Sequence, residues 1–514
     1  MPLATTLCRA GLGITAPQVT VEVHLANGLP AFQIVGLAEK AVQESRERVR
    51  SALINCGFEF PARRITVNLA PADLPKEGGR FDLPIALGIL AAAGMLPAEE
   101  IAGAEFYGEL TLAGAVQPVA GLLPAVLAAR EAGHDLFLPA ANLPEATLAG
   151  HPRLFAASHL LEITAHFGPG PRLTPASADP AEANVAAPVP DLAEVRGQAQ
   201  AKRALVVAAA GGHNLLFSGP PGSGKSMLAS RLPGLLPPLS EAQALECATI
   251  FSVAGVPRDP TQWRLPPFRS PHHSCSAVAL VGGGSHPRPG EISLAHNGVL
   301  FLDELPEFAR PVLEVLREPL ETGRVAISRA AGKAEFPARF QLVAAMNPCP
   351  CGHLGDPTRA CRCTAEQVAR YRGRISGPLL DRIDLLVEVP TQPPGVLLDP
   401  QRPPEHTSAE LSAEVAAARA RQLRRQGMLN ARLPPAALEE HARLDAAGRA
   451  LVSRAMEALG LSARAYHRIL RVARTIADLE GAGAVTPAHL SEALGYRRFE
   501  RDEAPVIGRA GSRR

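Results

Sequence analysis

Aromatic residues and lysine are scarce in this chain of 514 residues. Aromatics make up 4% of it, with a single tryptophan, and five lysines stand among 52 basic residues. Long apolar runs are absent: the most apolar stretch, residues 83–96, falls short of the roughly 20 residues that a membrane-spanning helix needs. The first ten residues contain one arginine and no apolar segment of the signal-peptide kind. These absences predict a cytoplasmic protein with reduced thiols and no membrane partner.

The length and composition predict an α/β multidomain protein. Hydrophobic residues make up 46% of the chain and charged residues 20%, which is ordinary globular composition, and 514 residues exceed what a single core holds. The first block mixes strand and helix patterns, the second alternates them as a parallel sheet does, and the third is helical. The expected divisions are a first block 1–168, a proline-rich linker 169–190, a second block 191–390, a second linker 391–406, a helical block 407–500 and a tail 501–514.

Hydrophobic periodicity places several elements within the first block. The expected strands are Val19–His24, Arg64–Leu69 and Leu136–Leu138, and the expected helices are Glu39–Cys56, Leu83–Ala93 and Leu122–Ala132. No tandem repeat is evident.

Charge is distributed unevenly although the net charge is only +2. Residues 359–514 hold 25 arginines, no lysine and 18 acidic residues, so they carry about +7, whereas residues 1–358 carry about −5. An excess of this kind suits a polyanionic partner, but solvated arginine-rich helices explain it equally well.

One motif predicts a nucleotide site. The apolar strand Leu215–Phe217 leads into a G-x-x-x-x-G-K-S motif, and the helix-compatible segment Met227–Leu232 follows. In such a loop the backbone N–H groups surround the β-phosphate of ATP at a helix N-terminus. Lys225 is expected to reach the β- and γ-phosphate oxygens, and Ser226 to bind Mg²⁺. The residues of the motif are Gly219, Pro220, Pro221, Gly222, Ser223, Gly224, Lys225 and Ser226.

Two further apolar strands end in polar residues. The run Gly298–Leu302 is followed by Asp303 and Glu304, and the run Phe340–Ala345 is followed closely by Asn347. Packing alone does not call for carboxylates at the tip of a buried strand, so the pair indicates a cation and a water. We expect Asp303 to bind Mg²⁺, Glu304 to polarise the attacking water, and Asn347 to orient that water.

Four strings carry a resemblance to a known family. They are Val195-Arg196-Gly197-Gln198, Gly377-Pro378-Leu379-Leu380-Asp381-Arg382-Ile383-Asp384, the segment His296–Phe308 and Met346-Asn347-Pro348-Cys349-Pro350-Cys351-Gly352. Together with the motif around Lys225 they resemble the Mg-chelatase-like AAA+ ATPases, and within these the ComM/YifB family, over nearly the whole chain. The resemblance implies an AAA+ P-loop domain with a C-terminal helical lid.

The resemblance also implies roles for single residues and an assembly. Val195 and Gly197 would contact the nucleotide, Arg382 would be an arginine finger acting on the neighbouring subunit's γ-phosphate, and Arg464 would be the sensor 2 arginine of the lid. A finger in trans implies a homo-oligomeric ring, with six subunits expected. The implied activity is an ATP-driven DNA helicase that promotes branch migration in recombination and natural transformation, on single-stranded or branched DNA without sequence preference. A metal-inserting chelatase subunit and a chaperone-like protein remodeller are the alternatives.

The first block resembles the Lon-type proteolytic fold, a ribosomal-protein-S5-like α/β unit. The likeness is carried by Lys76–Pro84 and Gly108–Leu123. Lon-type peptidases use a serine nucleophile and a lysine base, but residues 75–90 contain no serine, and Leu123 stands at the base position. We therefore predict a scaffold without peptidase activity.

Four of the eight cysteines cluster within 15 residues, namely Cys349, Cys351, Cys361 and Cys363. Four thiolates suffice for tetrahedral zinc, although C-x-C pairs are tighter than the commoner spacings. Free thiols and redox-switched disulfides remain as alternatives. We expect the other cysteines to be core residues, and His272, His273 and His286 to be polar loop residues rather than metal ligands.

A β-hairpin is predicted between the expected helix Pro311–Thr322 and the strand that precedes Asn347. Two β-prone runs in Arg324–Phe336 flank a glycine-containing tip that carries Arg329 and Lys333. The resemblance to minichromosome-maintenance helicases implies that such residues project into the ring channel and bind the DNA backbone, whereas an exposed hairpin with solvated charges is the alternative. Arg329 and Lys333 are thus the expected DNA contacts.

Overall fold

A computed structural model describes residues 3–36, 40–176, 189–284, 287–329, 332–393, 395–396 and 406–497. The predicted tail 501–514 and most of both predicted linkers lie outside the described residues. None of the helices in the described ranges combines the length and apolarity needed to cross a membrane.

The first block is built on a seven-stranded mixed sheet. The strand Gln18–Ala26 alternates buried residues with more exposed ones, and its Val19, Val21 and Val23 all point into the core. The apolar helix Asp82–Ala92 is buried along its whole length. The strands are β1 Leu3–Arg9, β2 Gln18–Ala26, β3 Ala31–Val35, β4 Arg64–Ala70, β5 Ala104–Phe106, β6 Glu109–Leu110, β7 Val116–Gln117, β8 Asp135–Pro139 and β9 Leu154–Ala157. The order in the main sheet is β3-β4-β2-β1-β5-β8-β9, and β6 pairs with β7.

The helices of this block lie close to the expected positions. They are Lys40–Asn55, Asp82–Ala92, Ala98–Ile101, Leu123–Ala132, Leu143–Ala146 and Leu160–Phe167. Leu123, at the base position of the Lon-type pattern, begins a helix and is fully buried. The block is thus an α/β unit, and its likeness to the Lon-type fold stays a prediction.

The second block contains a five-stranded parallel sheet. Its central strands are buried on both faces because helices cover both sides, which explains their uninterrupted apolar sequences. The strands of this block are β10 Leu215–Ser218, β11 Phe268–Arg269, β12 Gly282–Gly283, β13 Arg288–Pro289, β14 Val299–Leu302, β15 Arg324–Arg329, β16 Gly332–Pro337, β17 Gln341–Met346 and β18 Leu385–Glu388. The parallel sheet has the order β11-β14-β17-β10-β18, while β12–β13 and β15–β16 form separate antiparallel pairs.

The α-helices of the second block are mostly short. They are Ala199–Gly211, Lys225–Ala229, Glu241–Ala254, Ala277–Val281, Glu291–Leu294, Arg310–Glu314, Arg317–Thr322, Ala365–Arg372 and Gly377–Leu380. The expected helix Pro311–Thr322 is wrong as a single element, because it is split after Glu314. The break falls at Val315, four residues before Pro319, whose ring nitrogen cannot donate to the Val315 carbonyl.

The third block consists of the helices Ser408–Gln426, Pro435–His441, Ala446–Leu459, Ala463–Leu479 and Pro487–Gly495. Several of its arginines are buried: Arg468, Arg474 and Arg497 are each less than 5% exposed. Arg474 donates to Asp478 and to the carbonyls of Ala482 and Gly483. The positive excess of this block is therefore partly internal.

Candidate active site

The loop between β10 and the helix Lys225–Ala229 forms an open cradle. Gly222 and Gly224 have φ of +76° and +94°, values that favour glycine, and an added Cβ at either would meet nothing within 4 Å. Ser223 Oγ is buried without a hydrogen-bond partner among the described residues. The open space beside Gly222 and Gly224 gives a phosphate access to the backbone N–H groups of the loop, so the loop fits ATP.

Lys225 lies at the centre of this loop. Its Nζ donates to the carbonyl oxygens of Gly219 and Pro220 at 2.7 and 2.8 Å and to Asn347 Oδ1 at 3.2 Å. Burial lowers the pKa of Lys225, while the charges of Asp303 and Glu304 oppose this shift. A phosphate would restore the favourable environment of the ammonium group.

The ends of the neighbouring strands bring the predicted Mg²⁺ ligands together. Ser226 Oγ donates to Asp303 Oδ2 at 2.5 Å, and the backbone N–H of Glu304 donates to Asp303 Oδ1 at 2.9 Å. A hydroxyl and a carboxylate beside a phosphate-binding loop form an oxygen donor set of the kind that Mg²⁺ prefers. The residues present fit the metal.

Glu304 makes a contact that the sequence analysis missed. Its backbone is left-handed, with φ of +52°, and its Oε2 lies 3.1 Å from Nδ1 of His273. The His273 ring packs beside His272, with centroids 4.1 Å apart, and faces Phe308 edge-on. His273 is a loop residue as expected, but it holds the carboxylate predicted to polarise water.

The register of the sheet explains this pairing. Phe268 and Arg269 on β11 stand opposite Val299 and Leu300 on β14, an offset of 31 residues. His273 and Glu304 are separated by the same 31 positions beyond the ends of these strands. Only the pairing of β11 with β14 could have revealed the contact, because periodicity within either segment does not specify its neighbour.

The segment containing Val195 and Gly197 lies beside the phosphate-binding loop. Gln198, in a left-handed conformation, donates from Nε2 to the carbonyls of Ser223 and Pro390 at 3.0 and 2.7 Å. Val195 is buried, and Gly197 has a positive φ with Gln392 close by. The placement agrees with a nucleotide contact, although the roles of Val195 and Gly197 stay predictions.

Arg382 lies at the opposite edge of the sheet from Lys225. Its carbonyl accepts a hydrogen bond from the side chain of Asn214, which precedes β10, whereas the phosphate-binding loop follows β10. Four strand residues separate the two edges by about 13 Å. The Arg382 guanidinium donates to Glu321 instead, so this arginine does not meet the loop of its own chain.

Arg464 lies beside Arg382, at the edge of the sheet opposite to Lys225. It is 74% exposed, and its Nη1 lies 3.9 Å from Asp381 Oδ2. The two arginines line one cleft of about 770 Å³ together with Glu321 and Arg468. Arg468, which the sequence analysis missed, contacts Asp381 at 3.5 Å and follows Arg464 by one helical turn. The i, i+4 spacing of Arg464 and Arg468 in the sequence could have identified Arg468 as a neighbour of Arg464.

The predicted hairpin is present as β15 and β16. Arg329 pairs with Gly332 and Ser328 pairs with Lys333, so both basic residues stand next to the tip. Ala330 and Ala331, and the side chains of Arg329 and Lys333, lie outside the described residues. The hairpin is anchored by the buried Ile327 and Phe336.

The four clustered cysteines converge. Their Sγ atoms all lie within 4.8 Å of one another, and they are the one such group of potential metal ligands in the described ranges. The cluster follows Asn347 directly along the chain.

Three family models match the chain. Residues 191–397 match "Magnesium chelatase, subunit ChlI", residues 21–142 match "Subunit ChlI of Mg-chelatase", and residues 405–497 match "Magnesium chelatase, subunit ChlI C-terminal". The matches fall on the three blocks seen in the fold.

Full-length relatives are also similar. The competence protein ComM of Haemophilus influenzae is 51% identical over 504 residues, covering 98% of each chain, and the YifB protein of Salmonella typhimurium is 50% identical over 502 residues, again covering 98% of each. The magnesium-chelatase 38 kDa subunit of Acidiphilium rubrum is 29% identical over 216 residues, which cover 41% of this chain and 55% of that subunit.

Proposed function

Since the chain belongs to the ComM/YifB family of Mg-chelatase-like AAA+ ATPases, we propose that it is an ATP-hydrolysing ring motor that remodels DNA. The observation that carries the ring is the separation of Arg382 from the phosphate-binding loop of the same chain. A motor of this class needs both at one γ-phosphate, so the arginine comes from a neighbour.

Each residue of the nucleotide site has one task in hydrolysis. Lys225 would neutralise the β- and γ-phosphate oxygens, and Ser226 and Asp303 would hold Mg²⁺, which would supply charge compensation for the phosphates. Glu304 accepts a hydrogen bond from the attacking water, and Asn347, already 3.2 Å from Lys225, orients that water. The contact of Glu304 Oε2 with His273 competes with the water for this carboxylate.

An arginine finger that acts on the nucleotide of a neighbouring subunit determines how the subunits are arranged. The face carrying Arg382 and Arg464 meets the face carrying Lys225 of the next subunit, so each contact joins two different surfaces. Head-to-tail contacts of this kind close into rings, and six subunits is the number that the family resemblance implies.

The hairpin β15–β16 supports DNA as the substrate. Arg329 and Lys333 stand next to its tip in the strand pairing, and a ring of six would bring about twelve positive charges to the DNA backbone. Phosphate contacts of this kind are independent of base sequence and weaken as salt rises. The family resemblance adds the specific activity, branch migration in recombination and natural transformation.

A metal-inserting ATPase subunit is the second candidate. It is favoured by the magnesium-chelatase family models, which match all three blocks, and by the partial similarity to the 38 kDa subunit. Against it, similarity to that subunit covers 41% of this chain, while similarity to ComM covers 98%.

Steady-state ATP hydrolysis distinguishes the candidates. We expect branched or single-stranded DNA to raise the rate, and unfolded protein to leave it unchanged. An ATP hydrolysis rate that does not change when DNA is added would refute DNA as the substrate. The hairpin is tested with the Arg329→Ala, Lys333→Ala double variant against Arg324→Ala, a control at the base of the same hairpin, where Arg324 pairs with Glu335.

The double variant should lose DNA stimulation and show a shallower dependence of DNA affinity on salt, whereas assembly and basal ATP hydrolysis persist. The Arg324→Ala control should keep the stimulation. Full DNA affinity in the double variant would show that DNA binds elsewhere. The exposed Arg288 of β13 is then the next candidate.

A further inference from the structure

The four cysteines after β17 are arranged for a metal. Cys349 and Cys351 precede a turn, and Cys361 and Cys363 return to the same point before the helix Ala365–Arg372. The Sγ atoms of Cys349 and Cys351 are 3.4 Å apart, and both lie 3.6 Å from Cys361 Sγ. Cys363 Sγ completes the group within the 4.8 Å limit that encloses all four atoms.

These distances favour zinc over free thiols and disulfides. Zinc–sulfur bonds of about 2.3 Å in a tetrahedron place the sulfurs about 3.8 Å apart, close to the separations seen, whereas a disulfide needs about 2.05 Å. All eight cysteines are free. Thiols without a metal would gain little from this convergence, because S–H groups are weak donors and weak acceptors.

We propose that Cys349, Cys351, Cys361 and Cys363 bind one zinc ion in a closed structural site. Four protein ligands leave no open position for a substrate, so the ion has no catalytic role. The backbone supports the ligands: the N–H of Cys363 donates to Cys361 Sγ at 3.4 Å. His353 is engaged elsewhere, with Nδ1 at 2.9 Å from Asp356, and does not compete as a ligand.

The position of the site gives the zinc a task. Gly352 has a φ of +83°, and a Cβ there would lie 2.6 Å from Cδ of Pro221 in the phosphate-binding loop. The Arg372 side chain donates to the carbonyl of Pro348, next to Asn347, at 3.2 Å. The metal therefore holds a loop that touches Pro221 on one side and continues from Asn347 on the other. The cysteines act as positioning residues for Asn347, and this second part rests on the proposed ATP hydrolysis.

Metal analysis of protein purified without a histidine tag tests the site. Expression in medium supplemented with both zinc and iron should give about one zinc per chain by mass spectrometry. Cys361→Ser should lose it, whereas Cys56→Ser, which removes a thiol from the first block, should keep it. Cys361→His retains a nitrogen ligand and should keep the zinc if the serine variant fails to fold.

Each other outcome overturns the zinc assignment. Iron in place of zinc, absence of metal with eight thiols reactive under denaturing conditions, or a mass lower by two or four hydrogens from disulfides would each do so. Replacement by Co²⁺ supplies an independent measurement, because a tetrahedral thiolate site gives intense visible absorption and Cys361→Ser should abolish it.

The positioning role is measured separately. Cys361→Ser should lower kcat for ATP at least tenfold while KM changes less than threefold, and Cys361→His should recover most of the rate. Zinc loss with an unchanged kcat refutes the positioning role and leaves the zinc site standing. Zinc retention in a wild-type protein that lacks ATPase activity would refute the proposed function alone.

Discussion

Replacing His273 by alanine tests whether its contact with Glu304 restrains hydrolysis. The 3.1 Å contact occupies one oxygen of the carboxylate that we propose accepts a hydrogen bond from the attacking water. Because the His273 side chain is 36% exposed and that of Glu304 53%, solvent screens the interaction, and about 0.5 to 1 kcal/mol is a reasonable strength. Losing it raises the population of free Glu304 by about two- to fivefold, since 1.4 kcal/mol corresponds to a factor of ten.

The assay is steady-state ATP hydrolysis without DNA. The His273→Ala variant should show kcat raised by about two- to fivefold, and KM should stay unchanged because no phosphate contact is removed. His272→Ala is the matched control: it removes an imidazole from the same turn, where Nδ1 of His272 lies 2.8 Å from Ser274 Oγ rather than near Glu304. We expect its rate to match the wild type.

A rate for His273→Ala that is equal to or below the wild-type rate would refute this reasoning. A fall in kcat would mean that His273 supports the active orientation of Glu304 instead of opposing it. An equal rise in both variants would trace the effect to the loop as a whole and not to the hydrogen bond.

Three further changes follow from the described contacts. Lys225→Ala should weaken ATP binding at least tenfold in equilibrium titration, because its phosphate partner is lost; unchanged affinity would contradict this. Arg382→Ala should lower ATP turnover by about 10³-fold or more while nucleotide binding persists, whereas the control Arg370→Ala, an exposed arginine paired with Glu366, should be active. Asp384→Asn should lower thermal stability, because the carboxylate accepts the Asn214 N–H at 3.1 Å and lies near His213. Its pKa is held below the usual value by His213 and Arg468 despite burial, so the stabilisation is present above about pH 4 and shrinks as pH falls through the folded pKa.

Other outcomes would contradict the predictions for Arg382→Ala and Asp384→Asn. Normal hydrolysis by Arg382→Ala would remove the assignment of a finger and with it the argument for a ring. A stability difference between wild type and Asp384→Asn that stays constant from pH 7 to acid would show that the pKa of Asp384 is not lowered by folding.

The candidate nucleotide site could be predicted from the sequence because its residues lie in three short segments. The glycines, Lys225 and Ser226 occupy one segment, Asp303 and Glu304 follow the apolar strand β14, and Asn347 follows β17, which is apolar except for Gln341. Parallel strands place their carboxyl ends at one edge, so local pattern was enough to bring these groups together. The split of the expected helix Pro311–Thr322 was also encoded locally, by Pro319, and was overlooked.

Contacts between distant segments could not be predicted in this way. The buried arginines of the third block show the limit: Arg474 counts toward the positive excess in the sequence, but it is 1% exposed and donates to Asp478 and to three carbonyls. A sequence gives the charge of a side chain and not the acceptors that surround it.

The sequence by itself thus determined the family and pointed to the residues proposed to hold ATP, because both depend on short strings with fixed chemistry. The tertiary structure alone decided that His273 holds Glu304, that Arg382 and Arg464 lie across the sheet from Lys225, and that four thiols meet at one point. The reason is that strand order and register determine which residues of distant segments meet. The periodicity of a single segment specifies neither of them.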